Sequence, residues 1–462
     1  MKYLRDPKNN KPQIIVAPTA SGKSVLIAEV ARQWGKPVLV LQPSKELLEQ
    51  NHGKVVDLGV KATVYSASAG TKELSEITYA TIGSITSLAE EMKELGIEVV
   101  MVDECHFSYS PEPTSQFSKF MKELAPKKVI GFTATPFRLV SNMNGSELKL
   151  LNRMRPMFFK EFLHIIQIQE IIELGYWAKI KYEIHKFDES GLRVNSNGSE
   201  FTDESIKKAM EVQGVNNNVY KRIRSLVAEG CPSILVFVDA LKTADKMNEA
   251  LRSKGIKSAF LHAKLPKKDR DKIVKDFKTK KIQVVLNFGL LTTGFDYPDL
   301  RCVIMARPTM SLALYYQILG RGTRISPATG KDHFRFIDYC NNIERFGCVE
   351  HLVLRYVDGF GWGMFNNDIL LTNTPMAGMK KRISDLNKPS VPILDQTIWF
   401  GKYSGHKITD LKISYIKWLL FESSFNYTVP KMRQLKKGLE EVLRSHETIK
   451  LLPIEFQSEL PF

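Results

Sequence analysis

The stretch QIIVAPTASGKS, residues 13–24, restricts the fold more than any other part of the chain. Its first four residues are an apolar run typical of a buried strand, and an apolar-periodic helix begins at Ser24. The pattern A-x-x-x-x-G-K-S places Gly22 where the backbone can approach a phosphate, and Lys23 can then reach the β- and γ-phosphates of a nucleotide. The Ser24 hydroxyl can ligate Mg²⁺. We therefore predict a nucleotide-binding loop with contacts from Thr19, Gly22, Lys23 and Ser24; the alternative is an ordinary strand-to-helix turn.

Short apolar runs alternate with helix-length segments along most of the chain. They fall at residues 13–16, 38–41, 97–102 and 129–132 in the first half, and at 234–238, 284–287, 302–306 and 334–338 in the second. Strands separated by helices favour parallel sheets, so we predict an α/β fold with two tandem doubly wound parallel-sheet domains. A small, mostly helical C-terminal region follows them.

The predicted boundaries follow from where this pattern starts and stops. The first domain is placed at 1–150, a linker at 151–180, the second domain at 181–355 and the C-terminal accessory region at 356–462. Residues 137–175 show no alternating strands, and residues 142–146 are interpreted as a flexible or substrate-facing loop.

Charge indicates a class of partner. Lysine and arginine number 66 against 50 aspartate and glutamate residues, a formal net charge of +16. Such a surplus favours a nucleic acid through counterion release, although a basic protein can also lack a polyanionic partner. Five scattered cysteines form no C-x-x-C pair, so neither a zinc ribbon nor a disulfide framework is predicted. No apolar run is long enough for a bilayer and the first residues lack a signal-peptide core, so we expect a cytoplasmic protein without membrane contact.

The cluster DECH follows the apolar run VVMV directly. Asp103 at the end of a buried strand, beside a phosphate loop, can hold the Mg²⁺ shell together with Ser24. Glu104 is then placed to orient and deprotonate an attacking water. The alternative is a solvated acidic pair at a strand end.

Two arginines in QILGRGTR offer a second source of catalytic charge. Arg321 and Arg324 lie three residues apart on what we predict to be a helix, so both guanidinium groups would leave one face. From there they could stabilise charge on a transferring γ-phosphate, as arginine fingers of the second domain. A solvated helical face is the alternative.

The motifs APTASGKS, DECH, TAT, LLTTGFD and QILGRGTR occur in this order, and over about residues 12–345 the chain resembles the superfamily 2 (DExH/DECH) helicases. TTGFD together with QxxGRxxR is most similar to the RadD-type branch and to the branch-migrating DNA helicases of T5-like bacteriophages. The resemblance implies two RecA-like domains with ATP and Mg²⁺ in the cleft between them and a nucleic-acid strand across both.

The resemblance also implies roles for individual residues. Gln317, Arg321 and Arg324 would reach across the cleft, Thr133 and Thr135 would couple hydrolysis to domain movement, and Gly294 and Asp296 would connect the ATP site to the strand. The implied DNA-backbone contacts are Pro43, Ser44, Thr81, Ser84 and Thr292. For each contact, a local cap or turn is the alternative.

The loop and the lead before it differ from the usual patterns. Ala17 stands where the general phosphate-loop pattern has glycine, a replacement that is common in these helicases. Ala20 stands where these helicases usually have glycine, and it makes the loop stiffer. The lead before the loop has no aromatic-plus-glutamine segment for adenine recognition, so a preference for ATP over other nucleoside triphosphates is not predicted.

In the tail, residues 399–407 resemble a small FGKY-type module, followed by predicted helices at 413–421 and 430–443. Its interleaved aromatics and lysines could hold nucleic acid, or form an ordinary small core.

These features predict an ATP-dependent DNA helicase or translocase that remodels forked or branched DNA in replication, recombination or repair. It would act in the cytoplasm, or in the host cytoplasm if a phage encodes it. The alternatives are an RNA helicase, the motor subunit of a restriction system, and an ATP-gated nucleic-acid clamp that does not unwind.

Overall fold

A computed structural model describes residues 1–110, 112–142, 145–196, 199–291, 295–372, 381–382, 396–422 and 435–443. The chain divides into two compact units. The larger takes in Met1–Tyr356 and the described residues from Trp362 to 372. The smaller takes in Val357–Gly361 and the described residues from Lys381 onward. Among the described residues no helix combines the length and apolarity needed to cross a bilayer.

The first half of the larger unit is built on an eight-stranded sheet. Its strand order is β10-β1-β7-β6-β2-β5-β3-β4, and all neighbours are parallel except the pair β3 and β4. The strands of this half are β1 (Gln13–Val16), β2 (Val38–Gln42), β3 (Thr63–Ser66), β4 (Thr71–Lys72), β5 (Ile77–Thr81), β6 (Val99–Val102), β7 (Lys128–Thr133), β8 (Phe137–Asn142), β9 (Gly145–Leu150) and β10 (Glu161–Ile165).

Helices cover both faces of this sheet, so its central strands read as continuous apolar runs. Within β1, Ile15 packs on one face with Ile27 and Leu48, while Ile14 packs on the other with Phe120. The helices of this half are α1 (Lys2–Arg5), α2 (Lys23–Trp34), α3 (Lys45–Asp57), α4 (Ile82–Ile85), α5 (Ala89–Glu94), α6 (Cys105–Ser108), α7 (Gln116–Leu124) and α8 (Ile168–Glu173).

Two strand assignments differ from the sequence-based expectation. Within the segment 142–146, expected as a flexible or substrate-facing loop, Asn142 ends β8, and Gly145 and Ser146 begin β9. Asn142 pairs with Gly145 in an antiparallel hairpin of these two strands. Residues 143 and 144 lie outside the described part. The segment 151–180, predicted as a linker, contains β10, which pairs in parallel with β1 and extends the first sheet.

The second half contains a six-stranded, fully parallel sheet of order β11-β16-β15-β12-β14-β13. Its strands are β11 (Lys179–Ile184), β12 (Ile234–Val238), β13 (Ser258–His262), β14 (Val284–Phe288), β15 (Cys302–Ala306) and β16 (His333–Asp338). Its helices are α9 (Asp203–Val212), α10 (Val215–Ala228), α11 (Leu241–Ser253), α12 (Lys267–Lys278), α13 (Leu312–Leu319) and α14 (Asn342–Phe346). The two parallel sheets confirm the predicted fold class.

A small meander follows the second sheet. It is formed by β17 (Leu352–Val357), β18 (Gly361–Asn366) and β19 (Ile369–Leu370). Trp362 on β18 packs edge-on against Phe162 on β10, with ring centroids 5.3 Å apart. The chain after the second domain therefore returns to the edge of the first sheet.

The smaller unit has its own apolar core. Its elements are β20 (Lys381–Arg382), a 3-10 turn (Ile408–Asp410), α15 (Ile413–Lys417), a π-helical turn (Trp418–Glu422) and α16 (residues 435–443). The core residues are Ile398, Ile408, Leu411, Ile416, Leu419, Leu435 and Leu439. The predicted helix at 413–421 is present as α15 and the π turn. Of the helix predicted at 430–443, residues 435–443 are helical, and 430–434 lie outside the described residues.

Candidate active site

The phosphate loop joins β1 to α2 as the sequence predicts. Gly22 precedes the helix in the left-handed region with φ +78°. Such a backbone suits glycine and lets the first helical N–H groups face an anion. The N–H of Ala17 donates to the Thr133 carbonyl over 2.9 Å, which ties the loop to the end of β7.

Lys23 meets both acidic residues of the DECH motif. Its Nζ lies 3.1 Å from Asp103 Oδ1 and also ion-pairs with Glu104 Oε1. Burial lowers the pKa of the Lys23 ammonium, but the two carboxylates outweigh burial and raise it above its ordinary value. Lys23 is therefore a cation at neutral pH.

A buried asparagine connects the hydroxyl and the carboxylate proposed for Mg²⁺. Ser24 Oγ donates to Asn51 Oδ1 over 2.6 Å, and Asn51 Nδ2 donates to Asp103 Oδ2 over 2.9 Å. Because one side chain bridges them, Ser24 and Asp103 face the same small volume. Their oxygens suit a hard cation that keeps most of its water shell, so the residues present fit Mg²⁺.

Glu104 is the N-cap residue that precedes α6, and its backbone is in the left-handed region with φ +44°. Burial alone raises the pKa of its carboxyl, but Lys23 and His106 hold that pKa well below its usual range. Glu104 is thus an ionised carboxylate beside the phosphate loop, as a proton acceptor requires.

His106 links the two halves of the larger unit. Its Nδ1 lies 2.8 Å from Thr133 Oγ1, and its Nε2 lies 3.1 Å from Gln317 Nε2. Thr133 Oγ1 also accepts the N–H of Thr135 over 3.0 Å. A hydrogen-bond chain therefore runs from the TAT segment of the first half to α13 of the second.

Arg321 and Arg324 both lie beyond the end of the helix, so their predicted helical placement is wrong. Helix α13 ends at Leu319, and Thr323 Oγ1 donates to the Gly320 carbonyl over 3.0 Å within the turn that follows. Arg324 then forms an antiparallel bridge with Trp177. The closely spaced glycines Gly320 and Gly322 explain the early end, because glycine weakens helix interiors.

Both arginines nevertheless line the same cavity as Lys23. Arg321 Nη1 donates to the Phe295 carbonyl over 2.8 Å; burial lowers the pKa of its guanidinium to about 10, so it stays charged at neutral pH. Arg324 ion-pairs with Asp296. Gly294, the other residue predicted to connect this region to nucleic acid, lies outside the described residues.

Thr19 is held by aromatic residues from beyond the first domain. Its carbonyl accepts Trp177 Nε1–H over 2.7 Å, and its N–H donates to the Tyr316 hydroxyl over 3.3 Å. A Cβ built on Gly320 would lie 2.7 Å from Thr19 Oγ1, closer than real side chains approach. The second half therefore packs directly against the phosphate loop.

These groups surround one cavity of about 380 Å³, within the size range of small-molecule sites. Its described lining includes Thr19, Gly22, Lys23, Ser24, Asp103, Glu104, Asp296, Gln317, Arg321 and Arg324. All ten of these residues are predicted from sequence motifs for the nucleotide site or its connections.

Two family models match the chain over these same regions. One, described as Type III restriction enzyme, res subunit, matches residues 2–138, and the other, described as Helicase conserved C-terminal domain, matches residues 218–326. The chain belongs to helicase superfamily 2. Its two parallel sheets are the RecA-like domains of that superfamily, which carry the elements of a nucleic-acid-dependent ATPase.

Individual relatives of this superfamily 2 chain are distant. It is 28% identical over 318 residues to the "51.5 kDa protein" of Lactococcus phage (isolate 7-9), covering 67% of this chain and 62% of that protein. It is 24% identical over 270 residues to the Putative ATP-dependent helicase IRC3 of Saccharomyces cerevisiae, covering 58% of this chain and 37% of that protein. The chain thus spans less than two thirds of the length of either curated relative.

Among solved structures, the fragment of a putative HsdR subunit of a type I restriction enzyme from Vibrio vulnificus YJ016 shares the fold of this superfamily 2 chain. Its TM-score is 0.55 at 20% identity, and the match covers 74% of this chain and 62% of that one.

Three of the residues assigned to the nucleic-acid backbone lie at the carboxyl ends of β2 and β5. Gln42 pairs with Thr81, so Pro43, Ser44 and Thr81 leave neighbouring strands at the same end. The Ser44 hydroxyl accepts the Leu47 N–H over 3.3 Å as the cap of α3, and Ser84 Oγ accepts the Ala67 N–H over 3.0 Å. The local capping role named as the alternative is therefore present for Ser44. Thr292 lies outside the described residues.

Several contacts in this superfamily 2 site involve residues that the sequence motifs do not single out. Asn51, His106 and Trp177 are all buried, and each bonds to a predicted site residue. One signal was available for Asn51, which occupies the buried side of α3 between Leu48 and Val55. A polar residue at a core position needs a partner.

Proposed function

We propose that the protein is a nucleic-acid-dependent ATPase that moves along DNA and remodels forked or branched structures. One observation carries the first part of this proposal. Lys23, Asp103 and Glu104 of the first domain and Gln317 and Arg321 of the second line a single cavity.

The charges of these residues suit hydrolysis of a nucleoside triphosphate. Lys23 binds the β- and γ-phosphates, and Ser24 and Asp103 hold Mg²⁺, which neutralises phosphate charge when bound. Glu104, ionised at neutral pH, orients a water and takes its proton. Arg321, from the other domain, stabilises charge that develops on the γ-phosphoryl group.

The hydrogen bonds of His106 supply a route from chemistry to movement. They join Glu104 and Thr133 of the first domain to Gln317 of the second. A change at the γ-phosphate therefore alters contacts that hold the domains together, which is how closure and opening drive motion in such enzymes. We assign the coupling role to Thr133 and Thr135 on this basis.

The choice of DNA, and of branched DNA in particular, rests on two sequence features. The net charge of +16 favours a polyanion. The motifs TTGFD and QxxGRxxR resemble those of the RadD-type and T5-like phage enzymes. We assign Pro43, Ser44, Thr81, Ser84 and Thr292 to the backbone of the bound strand. The same proposal places the protein in the cytoplasm, of the host cell if a phage encodes it.

The test measures ATP hydrolysis without nucleic acid and with single-stranded DNA, duplex, a fork, a four-way junction and RNA. We expect strongest stimulation by forks or junctions, followed by strand displacement on the same substrates. Lys23→Ala and Glu104→Gln should abolish turnover and leave DNA binding largely intact. Arg321→Ala should abolish turnover while ATP still binds. If all three variants hydrolyse ATP at the wild-type rate, the assignment of these residues to the catalytic site is wrong.

Other outcomes separate the alternatives. Stimulation by RNA alone would favour an RNA helicase. A restriction-system motor is favoured by the description of the family model at residues 2–138, and it would need a partner nuclease for cleavage. ATP-dependent DNA binding without displacement or movement would favour a clamp.

A further inference from the structure

Tyr176 is an exposed aromatic residue in the lining of the nucleotide cavity. It is 56% exposed. Phe295 also lines the cavity, but it is 6% exposed and stacks on Phe277 with ring centroids 6.2 Å apart. Of these two aromatic lining residues, Tyr176 is therefore the one whose ring remains available to a ligand.

The backbone around Tyr176 is fixed on both sides. Before it, Gly175 ends the turn after α8 with φ +73°, and the Tyr176 N–H donates to the Ile171 carbonyl over 3.0 Å. After it, buried Trp177 bonds to the Thr19 carbonyl of the phosphate loop. The Ala178 N–H donates to the Thr323 carbonyl over 2.6 Å. The ring is thus presented from a rigid segment anchored to the loop that binds phosphate.

The residues that line the cavity fall into a charged, largely buried group and an apolar, exposed group. Lys23, Asp103 and Glu104 are largely buried and charged, which suits a triphosphate and its cation. Tyr176 and Val25 also line the cavity, and they are large apolar side chains with 56% and 47% exposure. Phosphates make no favourable contacts with such apolar surfaces, whereas the flat face of a nucleobase does make them.

We propose that Tyr176 is the surface on which the base of the bound nucleotide stacks. This inference rests on the proposed nucleotide site and names the part of it that holds the base. Stacking uses the π face that every base has, so the site takes adenine and guanine nucleotides alike.

The test compares equilibrium binding of ATP, GTP and inorganic tripolyphosphate by titration calorimetry. Tyr176→Ala should weaken the binding of ATP and GTP about 10-fold, equivalent to about 1.4 kcal/mol, because the base loses its stacking surface. Tripolyphosphate, which has no base, should bind as it does to the wild type. Tyr176→Phe keeps the ring and should restore both nucleotides. Leu174→Ala, two residues upstream and 68% exposed, is the matched control and should change nothing.

Three results would overturn the stacking role. They are unchanged ATP affinity in Tyr176→Ala, an equal loss for tripolyphosphate, or a loss for ATP without one for GTP. Lys23→Ala tests the underlying site separately, because it should weaken ATP and tripolyphosphate together. If Lys23→Ala binds both normally, the phosphate-loop assignment fails whatever Tyr176 does.

Discussion

At the scale of single residues, two residues of the candidate nucleotide site have a backbone conformation that L-amino acids rarely adopt. Ala20 has φ +62° and Glu104 has φ +44°. Such conformations cost of order 1–3 kcal/mol each and persist where the surroundings fix them. For Glu104 this conformation accompanies the placement of its carboxylate on Lys23. For Ala20 it is the conformation of a residue inside the phosphate loop, two positions before Gly22.

Replacing Ala20 with glycine should therefore stabilise the protein. Ala20→Gly removes the left-handed strain at some cost in unfolded-state entropy, and we expect a net gain of about 0.5–1 kcal/mol. Ala17→Gly is the control in the same loop: Ala17 is fully buried and has no positive φ, so its replacement should destabilise. Urea unfolding midpoints measure both. A lower midpoint for Ala20→Gly would contradict the strain argument.

Lys331 gives a pH dependence of stability. It is 2% exposed, its Nζ donates to the Pro298 and Gly322 carbonyls, and burial lowers the pKa of its ammonium to about 7. The unfolded chain has the ordinary lysine pKa near 10.4. Between about pH 7 and 10 the unfolded state therefore binds more protons, and this residue makes stability rise with pH.

Lys331→Met should remove that contribution, at most about 1.4 kcal/mol per pH unit. The measurement is the difference in unfolding free energy between wild type and variant from pH 7 to 9. Lys179→Met, at an exposed lysine, serves as the control and should leave the slope unchanged. Parallel curves for wild type and Lys331→Met would show that Lys331 does not titrate in this range.

At the scale of elements, the end of α13 sets how closely the two domains meet. The helix stops at Leu319, and Gly320 then lies against Thr19 of the phosphate loop. A side chain there would meet the Thr19 side chain at 2.7 Å. The early helix end and the small residue are thus what allow Arg321 to reach the cavity.

Gly320→Ala should reduce ATP turnover about 10-fold or more, because a misplaced domain removes catalytic groups from their working geometry. The clash can be tested directly in a double-mutant cycle with Thr19→Ala, and the two changes should be non-additive if the contact is the cause. Gly53→Ala is the matched control, since its Cβ meets nothing within 4 Å and α3 should gain stability. Additive effects at positions 19 and 320 would disprove the contact explanation.

The central strands of the two sheets could be predicted from the sequence, but the edge strand β10 could not. The apolar runs at 13–16, 234–238 and 302–306 coincide with β1, β12 and β15, because strands buried on both faces leave no polar side. The sequence of β10, EFLHI, is half-exposed and does not form a continuous apolar run. The sequence therefore did not predict that β10 belongs to the first sheet.

The candidate site divides in the same way. Lys23, Asp103 and Glu104 belong to local motifs whose spacing places them at strand ends. The bonds of His106 to Gln317 and of Trp177 to Thr19 join residues 211 and 158 positions apart. The local spacing of residues carries no information on such long-range pairings. The prediction from spacing was also wrong about where the helix before Arg321 ends.

At the scale of the whole molecule, a net charge of +16 dominates encounters with nucleic acid. Contacts to a phosphate backbone release counterions, so binding should weaken steeply and linearly on a log-log plot against salt. We expect a slope of about −3.5 to −5 for single strands with some five to seven neutralised phosphates. The slope should not depend on base sequence, because backbone contacts read none.

Fluorescence anisotropy with labelled oligonucleotides at several KCl concentrations measures that slope. Lys23→Ala should keep it, since the Lys23 ammonium is paired with two carboxylates inside the cavity. A slope near zero would argue against a binding mode dominated by the phosphate backbone.

The position of Trp177 gives the protein an optical signal of its own. Its indole is 3% exposed and donates to the carbonyl of Thr19, next to the residues that would receive the phosphates. Any rearrangement of that loop changes the surroundings of the indole and hence its emission. The chain has five tryptophans, Trp34, Trp177, Trp362, Trp399 and Trp418. With phenylalanine at the other four, the emission of Trp177 would follow each cycle of nucleotide arrival and departure without an added dye.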